Sequence, residues 1–210
     1  MLIRVFARVI ERFSNVKLVL KGNDDLYTSE QRLILSPTGG LYNQLKDKKA
    51  IEYYGSQMSN KEISELHQAS NCYVSPYSYE GFNLPVLESM AVGGVGLVSE
   101  GGSTDDFFKE EYGRKIRTDE VKEKRVSRVL KGFENEGFNV EGYGDDEFFE
   151  NVEIRELKVD EEDFFEKMVE MVRDGEGWME EGRRLKRAKE VRKHYSWDVI
   201  AGNIVEVAGL

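Results

Sequence analysis

Apolar positions alternate between two periods over the first hundred residues. Leu2, Val5, Phe6, Val9, Ile10 and Phe13 fall at helical spacing and predict an opening helix that ends in the Ser14-Asn15 turn. Val16-Lys17-Leu18-Val19-Leu20 is a short apolar run closed by Lys21-Gly22-Asn23-Asp24, which predicts a buried strand and a turn. Residues 24–49 mix polar and apolar positions around a Pro37-Thr38-Gly39-Gly40 break, with a helix expected near residues 41–45. Further strands are expected at residues 51–54, 72–74 and 95–98, and a helix over residues 83–92 separates the last two. Ser59-Asn60-Lys61-Glu62 spells a capping box, and Ile63, Leu66 and Ala69 give the helix it opens an inner face. Strands alternating with helices predict βαβ units, hence an α/β, Rossmann-like, doubly wound parallel sheet. Such a sheet binds ligands beyond the carboxyl ends of its strands.

The pattern weakens after Gly113. Residues 115–117 read as an edge strand and residues 121–130 as a charged helix, and residues 132–153 have no clear period and are expected to loop out. Asp160 is a fitting N-cap for a helix with the stripe Phe164, Phe165, Met168, Val169 and Val172. A basic helix over residues 183–193 follows, and Ser196-Trp197 opens a last one through Ile200, Ile204 and Val207. The reading is one domain over residues 1–210, with an acid-rich insertion at about 132–153 and closing helices over about 160–207.

Composition narrows the class. With 40% hydrophobic and 33% charged residues, the chain is neither collagen-like nor wholly disordered. A single cysteine, Cys72, excludes a disulfide framework and points to a reducing, cytoplasmic compartment. Arg4, Arg8 and Glu11 interrupt the opening segment, so it is no signal peptide, and no apolar run is long enough to span a membrane. The net charge of −10 argues against nucleic acid as a partner. Between residues 134 and 166 stand 14 acidic residues against only Arg155 and Lys158, so the remainder is close to neutral. Such a stretch reads as a solvated insertion.

The stretch Ser75-Pro76-Tyr77-Ser78-Tyr79-Glu80-Gly81-Phe82-Asn83-Leu84-Pro85-Val86-Leu87-Glu88 follows the third strand, where a doubly wound sheet places its site. Gly81 lets the backbone approach a ligand, and Pro85 suits the first turn of a helix. The amides of Gly81, Phe82, Asn83 and Leu84 then lack intrahelical acceptors and can hold an anion. Glu88 lies four residues after Leu84 on an apolar helix, so its carboxylate is expected to be largely buried and to need partners. Those partners are either backbone or arginine groups of the fold or the hydroxyls of a polyol ligand. Taken alone, Glu80 and Glu88 also permit a hydrolase with acid and base roles.

Glu80-x7-Glu88 within YEGFNLPVLESMAVGG resembles the E-x7-E signature of the group 1 glycosyltransferases, which have the GT-B fold. Residues 18–22, residues 54–59, the glycine turn Gly101-Gly102-Ser103-Thr104-Asp105-Asp106-Phe107 and the ending His194-Tyr195-Ser196-Trp197 resemble further family blocks. The resemblance is close over about residues 1–112 and loose over 155–207. It implies a donor domain for a nucleotide-diphosphate sugar, UDP- or GDP-linked hexose, with transfer that retains anomeric configuration and uses neither metal nor cofactor. Glu88 would then accept from the ribose hydroxyls, and Glu80 would face the transferred sugar as the catalytic carboxylate. The amides of residues 81–84 would hold the diphosphate or sugar hydroxyls, and Gly55, Ser56 and Gln57 would border the nucleobase.

The departures are equally specific. The family's acceptor-binding N-terminal domain has no counterpart in this sequence, nor do its Gly-Arg and Lys positions for neutralising the diphosphate. Lys21 is the candidate substitute, against a plain solvated lysine. The alternative is therefore a truncated, non-catalytic interaction module that needs a partner subunit or a second copy. His67 and His194 have no second His or Cys at ligand spacing, so no metal site is expected. Cys72 reads as a small buried hydrophobe, and the basic helix as a solvated face paired with the acidic stretch rather than a membrane or RNA surface.

Overall fold

The computed structural model describes residues 1–124, 153–196 and 198–202. Helix α1 (Leu2–Arg12) leads to β1 (Leu18–Lys21), the short helices α2 (Asp24–Tyr27) and α3 (Ser29–Leu35), and α4 (Gly39–Asp47). Then β2 (Ile51–Tyr54), α5 (Asn60–Ala69), β3 (Tyr73–Ser75), α6 (Leu84–Ala91) and β4 (Gly96–Ser99) alternate as strand and helix. Two 3₁₀ turns precede β5 (Gly113–Ile116), after which come β6 (Thr118–Lys124), β7 (Glu153–Val159), α7 (Glu161–Arg173), α8 (Gly175–Trp178) and α9 (Glu181–Tyr195).

Every strand pair through β5 is parallel. Leu18 of β1 stands opposite Ile51 of β2, Tyr73 of β3 opposite Gly96 of β4, and Gly96 in turn opposite Gly113 of β5. Strand β4 is buried along its whole length, and adjacent strand residues point to opposite faces. Leu97 accordingly joins a core with α1, α4 and α7 (Phe6, Tyr42, Leu45, Phe164, Phe165), while Val98 joins a second with α6 and α9 (Val86, Met90, Val191). Helices thus cover both faces of β4, the arrangement that parallel strands require. Each large side chain in these cores contributes roughly 1.5–3 kcal/mol by leaving water.

Asp160 caps α7 as expected, accepting from the amides of Glu162 and Asp163, both at 3.0 Å. Helix α7 packs on α1, where the Arg8 guanidinium lies 3.9 Å from the centre of the Phe165 ring and Arg4 pairs with Glu161 at 2.6 Å. Water screens such a half-exposed ion pair, so the apolar contact holds the helices together.

Several expectations need correction. Residues 121–124 are strand, not helix, and β7 occupies residues 153–159, where no strand was expected. Thr118 pairs antiparallel with Val159, and the register runs to Lys124 opposite Glu153. Val121 is the only apolar residue in β6, so no helical stripe exists, and the ladder comes from a partner distant in sequence. Helices α2 and α3 were not foreseen, because neither buries a residue that would leave a periodic signal. The basic helix is not wholly solvated: Arg187 is 4% exposed and donates to the Gly93 and Trp178 carbonyls at 3.0 and 2.7 Å. Burial, then the charges of Arg184 and Arg183, lower its pKa. Most of the acid-rich insertion, the rest of the expected helix over 121–130, Trp197, Ile204 and Val207 lie outside the described residues; residues 198–202 are helical.

Candidate functional site

The loops after β3 and β4 meet at the carboxyl ends of their strands. Ser99 Oγ donates to the Tyr77 carbonyl at 2.8 Å, Tyr77 Oη lies 2.6 Å from Thr104 Oγ1, and Thr104 Oγ1 donates to the Ser99 carbonyl at 3.3 Å. Ser99 and Thr104 are fully buried, so this mutual satisfaction is what makes their burial tolerable. Gly102 is demanded by the same contact, since a side-chain carbon there would sit 2.5 Å from Tyr77 Oη. Between the loops opens a cleft of about 530 Å3 lined by residues 77–81, Gly101, Gly102 and Leu157. Leu157 reaches it because the β6–β7 ribbon is tied to both loops. Its amide donates to the Ser78 carbonyl at 3.0 Å, and Thr118 Oγ1 donates to the Glu100 carbonyl at 2.7 Å.

Helix α6 starts at the rim of this cleft with no side-chain cap. Asn83 takes the left-handed conformation (φ 67°), which asparagine tolerates better than most residues. The residue is 3% exposed, and its side chain turns back into the fold, where Nδ2 donates to Ser75 Oγ at 2.9 Å. The amides of Phe82, Asn83 and Leu84 find no acceptor among the described residues. The Gly81 amide does: it donates to Glu80 Oε1 at 2.9 Å, so three of the four expected amides lack an acceptor rather than four, that of Asn83 in a buried residue. Nothing lies within 4 Å of where a Gly81 side chain would begin, and its φ is not positive, so the chain itself gives no reason for glycine there.

Glu88 is not buried. Its side chain is 56% exposed. It does share a face with Leu84, but that face opens to solvent, Leu84 itself being 49% exposed, while Val86, Leu87 and Met90 carry the packing. Nor does an internal arginine hold it. Its neighbour is His67 Nε2 at 4.0 Å, on a side chain only 12% exposed that meets the Tyr73 ring edge-on at 5.4 Å. His67 therefore faces inward rather than lying on the polar half of α5. Burial lowers its pKa and Glu88 opposes that shift. Burial, and after it the charges of Glu80 and Glu88, push the Tyr73 phenol above its ordinary range, so both carboxylates act on one phenol.

Gly55, Ser56 and Gln57 follow β2 and do not line this cleft. The Gly55 carbonyl accepts from the Asp24 amide at 2.9 Å, and Asp24 in turn receives Tyr53 Oη at 2.6 Å. Burial, then Asp24, pushes the Tyr53 phenol up to about 12. Ser56 and Gln57 are exposed. Lys21 spends its ammonium on the Gly22 carbonyl. Cys72 is half-buried, and burial raises its thiol pKa to about 12, which suits a packing residue and not a nucleophile. Among the described residues no three His, Cys, Asp or Glu side chains gather as metal ligands, and no helix is long and apolar enough to cross a membrane.

The family model for glycosyl transferases group 1 matches residues 1–137. This chain belongs to that family. No curated protein matches it. The group 1 match spans both carboxylates, the open start of α6 and the Tyr77 clamp, whereas Leu157 and helices α7 to α9 lie beyond it. Membership implies glycosyl transfer from a sugar donor to an acceptor. Sequence reasoning singled out Glu80, Gly81 and Glu88 but passed over Tyr77 and His67 as site neighbours. Gly102 was the available signal for Tyr77, because a glycine in that strand-end turn makes room for the ring.

Proposed function

We propose that this chain is the donor-binding half of a retaining, metal-independent glycosyltransferase of GT-B architecture. It binds a nucleotide-diphosphate sugar, UDP- or GDP-linked hexose, and transfers the glycosyl group to an acceptor held elsewhere in the complete enzyme. One observation carries the reading: α6 starts uncapped at the carboxyl end of a parallel strand, with three unpartnered amides, exposed Glu80 in the loop before it and exposed Glu88 one turn along it. A helix start left in that condition suits a diphosphate. Exposure of Glu88, which the sequence did not lead one to expect, leaves its oxygens free to accept from ribose hydroxyls. Glu80 faces the cleft, where its charge stabilises a sugar that becomes positive as the diphosphate departs. Gly81 fits because a ligand, not the chain, occupies the space beside it.

Calorimetry with UDP- and GDP-sugars tests this. Saturable binding at micromolar to millimolar concentration is expected; a folded chain that binds no nucleotide at millimolar concentration contradicts it. A second reading, an interaction module on the same scaffold, is favoured by the apolar groups that α2 and α3 expose, Leu26 at 71%, Tyr27 at 63% and Leu35 at 77%. It predicts a stable oligomer in solution together with no nucleotide affinity.

A further inference from the structure

The cleft at the head of α6 has an unbalanced charge. Among the described residues lining it, Glu80 is the one ionisable carboxylate and no lysine, arginine or histidine faces it. Beside the Gly101 turn, Lys115 is already used: its Nζ meets Asp105 Oδ1 at 2.5 Å, and Asp105 Oδ2 accepts from the Gly101 amide at 2.8 Å. Another part of the wall is Leu157, a residue 8% exposed whose side chain lies 3.5 Å from where a Gly101 side chain would begin. That wall is rigidly placed, because the ribbon bonds to the loops on both sides of the cleft through Leu157 and Thr118. It also comes from outside the segment that matches the family.

We propose that Glu80 and the β6–β7 ribbon together set the donor specificity of this cleft, Glu80 by repelling a second carboxylate and Leu157 by offering it no partner, so that the cleft admits an uncharged glycosyl ring and rejects a sugar acid. This rests on the donor reading above and deepens it by naming the class of sugar. A neutral ring can set its C–H face on Leu157 and its hydroxyls towards Glu80 and the glycine backbone. A uronic acid brings a second carboxylate beside Glu80, and Leu157 offers it neither charge nor hydrogen bond. Like charges at close range in a half-open cleft repel strongly enough to matter.

Paired calorimetry checks the inference: UDP-glucose against UDP-glucuronate, and GDP-mannose against GDP-mannuronate, on the full chain. The neutral member of whichever pair binds should bind on the order of tenfold more tightly. Leu157→Arg should bring the ratio near one by strengthening the acid. Should that variant fail to fold, Glu80→Gln, at an exposed position, should narrow the ratio by relieving the repulsion. Equal affinity for neutral and acidic donors in the parent overturns the inference and leaves the donor reading standing. No binding of any of the four removes the donor reading and this inference with it. A ratio unmoved in Glu80→Gln shows that Glu80 is not the source of selectivity and likewise overturns it.

Discussion

Helices α5 and α6 both follow a parallel strand, and both begin with a residue type that favours helix starts, Ser59 and Asn83. They use it in opposite ways. Ser59 Oγ accepts from the Glu62 amide at 3.3 Å, while Glu62 Oε2 accepts from the Ser59 amide at 2.7 Å, so the end of α5 is closed by its own side chains. Asn83 instead spends its side chain on Ser75 and holds its backbone in a left-handed turn, and the end of α6 stays open. A capped start stabilises a helix; an open one leaves several donors and a positive dipole end for something else. Uncapped starts are not peculiar to α6, since α1, α3 and α4 also lack a side-chain cap; what sets α6 apart is that its start follows the loop lining the cleft at the carboxyl end of β3.

The comparison can be broken at either helix. The largest effect is expected at the open one. Glu88→Ala should weaken nucleotide-sugar binding by about ten- to a hundredfold, the size of a lost hydrogen bond to a charged group, without changing thermal unfolding, because the side chain is exposed. Unchanged affinity in calorimetry would remove Glu88 from the site. Asn83→Ala should cost about 1–3 kcal/mol in denaturant unfolding, since it strands Ser75 and leaves a left-handed residue without its partner. An unaltered unfolding midpoint would mean that the Asn83–Ser75 bond does not fix the turn. At the closed helix, Ser59→Ala should cost about 1 kcal/mol of stability and leave donor affinity alone. A shift in affinity would place the α5 start within the site after all.

The smallest effect is a pH dependence. The hydrogen bonds from Ser59 hold the Glu62 carboxyl below its ordinary range. A carboxyl depressed in the folded state stabilises the fold above its unfolded value and loses that contribution as pH falls through the folded one. The stability gap between the parent and Ser59→Ala should therefore shrink below about pH 4. A gap that stays constant down to pH 2.5, followed by circular dichroism, would show that the Glu62 half of the box is inert.

Much of this was legible in the sequence because the signals were local. The strand-helix alternation through β5 follows from short apolar runs, and the α5 box and the Asp160 cap follow from residues three positions apart. Glu80-x7-Glu88 marked the site loop. The exposure of Glu88 was misjudged because helical spacing tells which residues share a face but not whether that face is covered; the open environment of Leu84 is a tertiary fact. The ribbon was invisible for a different reason. β6 and β7 satisfy each other across a long sequence separation, and windows centred on Val121 or Leu157 contain no period to read. Arg187 was placed on a solvated face because its burial depends on two carbonyls, one of them in the turn after α6.

The central claim is that the open end of α6 receives the diphosphate of a nucleotide. Its most direct test is an amide chemical-shift titration of the isotope-labelled chain with UDP and with GDP. The account predicts the largest shifts at the amides of Phe82, Asn83 and Leu84, with those of Ser59 to Glu62 unmoved. Saturating nucleotide that shifts other amides and leaves those three in place would contradict it.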